Sequence, residues 1–200
     1  MKISKSITVV TLALTLGLGA TALAQDGSMK KMKKDKMMMQ TKMVGGAEMY
    51  PNKNIIENAV NSKDHTTLVA AVKAADLVET LQGEGPFTVF APTDMAFEKL
   101  PKGTVETLVK PENKEKLQAI LTYHVVAGKF SATDLMGMIK KGNGKAEFAT
   151  VNGAKLTAML KGKQVQLKDA NGTISTVTIA DVNQSNGVIH VIDTVVLPAM

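Results

Sequence analysis

No cysteine and no tryptophan occur in the 200 residues. The missing cysteine removes a disulfide framework, a thiolate metal site and a cysteine nucleophile together. Arginine is missing too, since all 24 basic residues are lysine. Sequence readers of DNA place arginine forks on guanine edges, so this composition argues against a nucleic-acid partner. Histidine occurs three times, at His65, His124 and His190, without the paired spacing of a His-Glu-x-x-His zinc site. There is no Gly-x-Ser-x-Gly nucleophile elbow. Gly142-Asn143-Gly144-Lys145 lacks the spacing of a phosphate loop. Glu112 and Glu115 alternate with Lys114 and Lys116, as on a solvated helix face. These absences point away from an enzyme, and no cofactor is expected.

The net charge of +6 is unevenly placed. Residues 55–200 hold 15 lysines and 15 acids and are formally neutral, so the excess belongs to the N-terminal quarter. That quarter opens as an address. Lys2 and Lys5 form a basic start, Ile7 to Leu18 is an apolar stretch, and Ala22-Leu23-Ala24 precedes Gln25 with the small-x-small pattern of a signal-peptidase site. The apolar stretch is short for a membrane span. Residues 1–24 therefore read as a cleaved signal peptide. The mature chain is expected in the periplasm or outside the cell, without a transmembrane segment. No cysteine follows the leader, so it is not expected to be a lipoprotein.

Residues 25–50 read as a disordered tail and linker rich in methionine and lysine. Their low apolar variety cannot offset the entropy of ordering, and Gly45-Gly46 reads as a flexible joint. Three roles stay open for the tail. It can be a solvated spacer. Its lysines can contact an anionic surface by electrostatics. Its thioethers at Met29, Met32, Met37, Met38, Met39 and Met43 can hold a soft ion such as Cu(I), which would make the chain an envelope-stress or soft-metal protein.

Residues 51–200 read as one domain. Ile55, Ile56, Ala59 and Val60 recur at helical spacing after Asn54. A second helix carries Leu68, Val69, Ala71 and Val72, capped by Asp64 or Thr66, and Asp76 opens a third. His65 reads as an exposed loop residue at the start of the second helix. Phe87-Thr88-Val89-Phe90 is a buried strand between two prolines. Thr93 then fits an N-cap, with Asp94 in the first turn and Phe97 at the fourth helical position. A helix from Glu112 to about Leu121 precedes Tyr123-His124-Val125-Val126, which reads as a strand, and Ser131 to Asp134 begins another helix. From Ala146 the period becomes two. Strand candidates at 146–151, 154–160, 163–168, 173–180 and 187–196 are separated by Asn-Gly and Gly turns. Helices first and strands later make an α+β fold.

Three ordered segments carry a family resemblance. They are Thr88 to Phe97, Tyr123 to Val126, and Asn186 to Asp193 with its continuation to Leu197-Pro198. Together they resemble the fasciclin (FAS1) domain over about residues 52–198. The resemblance implies a single β-wedge or sandwich with helices packed around it. It also implies an exported binding or adhesion module whose partner is a protein or polysaccharide of the envelope or extracellular matrix. Tyr123 and His124 match the family's Tyr-His position, and Asp181-Val182 lie where its Asp-Ile pair belongs; in animal relatives these positions are tied to integrin binding. Here Ile179-Ala180 replaces the Glu-Pro context. Thr93, Asp94, Phe97, Asn186, Gly187 and His190 also have a purely structural reading. For His124 and His190 a satisfied core position and a ligand-contacting one both remain open.

Overall fold

The computed structural model describes residues 41–199. The leader and the tail methionines from Met29 to Met39 lie outside the described residues. The first described element corrects the reading of residues 42–49 as disordered linker. Lys42–Val44 (β1) and Ala47–Met49 (β2) form an antiparallel hairpin, with Val44 opposite Ala47. Gly45 and Gly46 are its two-residue turn, with φ of +57° and +75°, the backbone that this tight turn demands. Val44 and Met49 are buried in the core, where each contributes about 1.5–3 kcal/mol. Met43, on the same hairpin, is 58% exposed.

Three helices follow: α1 (Ile55–Ala59), α2 (Thr66–Ala74) and α3 (Val78–Gln82). Asn54 and Glu57 cap α1 reciprocally, which satisfies two backbone donors that a helix start leaves free. Asp76 does not open α3. It has φ of +55°, the α3 cap position is Leu77, and the Asp76 carboxylate pairs with Lys114 instead.

Phe87–Pro92 (β3) leads into α4 (Asp94–Glu98), and Thr93 Oγ1 accepts from Ala96 N at 3.3 Å as the expected N-cap. A short helix α5 (Thr104–Leu108) buries no residue, so no apolar stripe announced it. Helix α6 (Lys114–Tyr123) runs two residues beyond the expected end. Tyr123 closes the helix and His124 is its C-cap, so the strand begins only at Val125–Ala127 (β4). Leu117, Ile120, Leu121 and His124 continue one helical face into the core, and that packing overrides the β preference of tyrosine. The Ser131–Asp134 capping box then starts α7 (Ala132–Lys141) as read.

The remaining strands are β5 (Lys145–Ala149), β6 (Lys155–Lys161), β7 (Gln164–Lys168), β8 (Ile174–Gln184) and β9 (Gly187–Ile192). Seven strands form one sheet in the order β4-β3-β9-β8-β7-β6-β5. Among the described residues, only β3 and β9 pair in parallel. A bridge between Val126 and Thr150 brings the two ends of the sheet together, so the sheet nearly closes as a wedge. Strand β8 runs four residues past its expected end, through a bulge that includes Asp181 at φ +56°. Every residue of β9 is buried. Its Ile189 and Val191 face the core under α1–α3 and the hairpin, while Ile192 faces a second core filled by Leu135 and Ile139 of α7.

Candidate functional site

The positions that the sequence singles out converge on the seams of the wedge rather than on an open cleft. Tyr123 is 0% exposed, and its hydroxyl donates to Lys155 O at 2.8 Å, tying α6 to β6. Burial raises its phenol above the ordinary value. His124 is also buried. Its Nδ1 donates to Ile120 O at 2.8 Å and its Nε2 accepts from Val196 N at 3.2 Å, which fixes the tautomer and holds the C-terminal strap. Burial pushes its pKa down to about 4, so the imidazole is neutral at physiological pH.

His190 holds the opposite seam. Its Nε2 donates to Phe130 O at 2.9 Å, its Nδ1 accepts from Asp181 N at 3.3 Å, and its ring stacks on Phe90 with centroids 5.7 Å apart. Burial lowers its pKa. Asp181 is half-buried, and its Oδ1 accepts from Ala132 N at 2.7 Å, so it caps α7 from a strand 49 residues away. Its neighbour Val182 is a core residue. Tyr123, His124 and Val182 are thus enclosed.

The last signature is equally committed. Asn186 Nδ2 donates to Leu81 O at 2.8 Å and Gly83 O at 2.9 Å, while its Oδ1 accepts from Ile55 N at 3.1 Å. One amide therefore joins the end of α3 to the start of α1. At Gly187 a Cβ would lie 2.2 Å from Phe87 O, so the parallel β3–β9 contact requires glycine. The Asp94 carboxylate accepts from Thr66 and Thr67 at the start of α2, a helix other than its own. Phe97 is half-buried against the same core.

Sequence reasoning missed His65. Its expected exposure is wrong: it is 3% exposed, with Nδ1 2.8 Å from Ser62 Oγ, and its Nε2 has no hydrogen-bond partner. The flanking Asp64 and Thr66 gave it a polar setting that hid its inward direction. Among the described residues, no group of three or more histidine or acidic side chains could hold a metal ion, and no helix is long and apolar enough to cross a membrane.

The fold is a single α+β wedge in which the most recognisable residues hold the frame. The family model of the fasciclin domain matches residues 63–198, and the chain belongs to that family. The protein sll1483 of Synechocystis is 53% identical over 146 residues, covering 73% of this chain and 74% of that protein. The immunogenic protein MPB70 of Mycobacterium bovis is 35% identical, over 70% of this chain and 66% of its own length. A FAS1 domain pair from the insect cell adhesion molecule fasciclin I superposes with a TM-score of 0.66 at 19% identity, covering 74% of this chain and 52% of that one.

Proposed function

We propose that this chain is an exported binding and adhesion module, acting in the periplasm or outside the cell. It associates with an envelope or extracellular-matrix polysaccharide or with a partner protein, and it does so without catalysis. The observation that carries this reading is the fasciclin family match over residues 63–198. The fold of the insect adhesion molecule and the leader pattern of residues 1–24 support it.

With Tyr123, His124 and Val182 enclosed, the contacts belong to the outer surface of the same signatures. Met95 is the natural first position, since it is 73% exposed within the first signature, next to Asp94. The Lys-rich tail adds a salt-screened attraction to acidic surfaces. The test compares the chain lacking residues 1–24 with a variant beginning at Thr41. Both are incubated with the producing cell's envelope and extracellular polysaccharide at low and high salt. Retention of the shorter variant at high salt supports the reading; binding that needs the tail and vanishes in salt would assign the attachment to lysine electrostatics instead.

A further inference from the structure

A partly open cavity of about 70 Å³ lies between helices α1–α3, the N-terminal hairpin and the β3–β9 pair. Its wall is mainly aliphatic, with Ile56, Leu68, Leu81 and Val89 among the lining residues. The polar side chains that are buried or half-buried in this wall are spent elsewhere, with one exception. Ser62 Oγ meets His65 Nδ1, Thr122 Oγ1 donates to Gln118 O, and both nitrogens of His124 are engaged. The exception is His65 Nε2, buried on the cavity wall, near the backbone of Ala91 but without a hydrogen-bond partner.

Buried polar atoms are almost always paired, and an unpaired one calls for an explanation. A buried water needs two to four polar partners; beside Nε2 this wall offers only the backbone of Ala91, and the rest of the space is aliphatic. A cavity of about 150 Å³ accommodates benzene, so this one suits a molecule about half that size. We propose that the cavity is a binding site for a short-chain alcohol, ketone or aldehyde, whose carbon chain fills the aliphatic space and whose single oxygen hydrogen-bonds to His65 Nε2. Either tautomer serves. If Ser62 donates to Nδ1, Nε2–H donates to the ligand oxygen; if Nδ1–H donates to Ser62, Nε2 accepts from a ligand hydroxyl. The site is independent of the outer surface proposed for adhesion.

The test is an NMR titration of the chain lacking residues 1–24 with ethanol, which has half of benzene's heavy atoms, and separately with xenon. Methyl signals of Ile56, Leu68 and Val89 and the imidazole nitrogens of His65 are followed. The expected result is saturable, millimolar binding of ethanol that shifts the His65 Nε2 signal, with xenon shifting the methyls alone. His65→Phe is expected to weaken the oxygen-bearing probe at least tenfold more than xenon. Ala59→Leu, which fills the cavity from α1 and leaves His65 in place, is expected to abolish all binding. Non-saturating shifts spread over the surface would overturn the proposal. So would equal effects of His65→Phe on ethanol and xenon, or a crystal structure with a water on Nε2 that ethanol does not displace. If His65→Phe does not fold, loss of probe binding in Ala59→Leu, or its persistence, decides the matter.

Discussion

The Asp94 carboxylate caps a helix to which it does not belong: its Oδ1 accepts from Thr67 N at 2.8 Å, and its Oδ2 accepts from Thr66 Oγ1 at 2.7 Å, at the start of α2. Its own backbone N–H donates to Asp64 O at 2.7 Å. The first signature thereby clamps two helix starts with one residue. Burial alone would raise this carboxyl, but the hydrogen bonds from Thr66 and Thr67 outweigh it and hold the pKa below the ordinary aspartate value.

Asp94→Ala is therefore expected to cost about 1–2 kcal/mol of stability, the loss of a helix cap and its charge. Urea denaturation at neutral pH measures it. The sign with pH follows from the lowered carboxyl: the contribution is full above the unfolded aspartate value near 3.8 and is lost as pH falls through the lower folded value. The difference between wild type and variant should shrink in strong acid.

Histidine gives a second pH dependence of the same sign in a higher window. Burial lowers the pKa of His65, His124 and His190, with His124 at about 4. Each is neutral when folded, while the unfolded chain takes up protons below the ordinary value of 6.5. Stability is thus full above about pH 6.5 and declines as pH falls toward the folded values. The decline from one such histidine approaches about 1.4 kcal/mol per pH unit. His124→Gln can keep both hydrogen bonds without titrating, and should flatten the slope of the denaturation midpoint between pH 6.5 and 4.

The β3–β9 contact leaves no room at Gly187. Gly187→Ala places a methyl 2.2 Å from Phe87 O, a backbone atom in a parallel ladder that cannot swing aside. A loss at or above about 3 kcal/mol is expected, the upper end of overpacking costs. Thermal unfolding followed by circular dichroism checks it.

The hairpin sets where the chain can be shortened. A variant beginning at Thr41 is expected to keep the stability of the longer chain. One beginning at Pro51 loses Val44 and Met49 from the core and should lose about 3–6 kcal/mol, the sum of two buried aliphatic side chains. Calorimetry of the two variants distinguishes them.

Much of this architecture was legible from local chemistry. Thr93 and Ser131 announce their helices because a cap is written within four residues, and β9 announces itself because both faces of a central strand are apolar. What was hidden depends on partners far along the chain. Val44 and Met49 sit in a segment too monotonous to suggest a core, and only the helices and β8 make them buried. Tyr123 reads as strand by propensity and is helix by packing. Asp181 reads as half of a recognition pair, yet it caps α7 across 49 residues and turns a bulge. The signatures identify the family because they hold the frame.

The central claim is that Tyr123 supports this frame while binding occurs on the outer surface. Tyr123→Phe removes one hydrogen bond, leaves Lys155 O without its partner, and should cost about 1–2 kcal/mol of stability. The most direct measurement is the binding isotherm of this variant against the envelope fraction that retains the wild type, with stability measured on the same sample. The account predicts lowered stability with affinity unchanged within about twofold, well inside the 1.4 kcal/mol that a tenfold change represents. Wild-type stability with binding lost would contradict it and make the tyrosine hydroxyl a ligand contact.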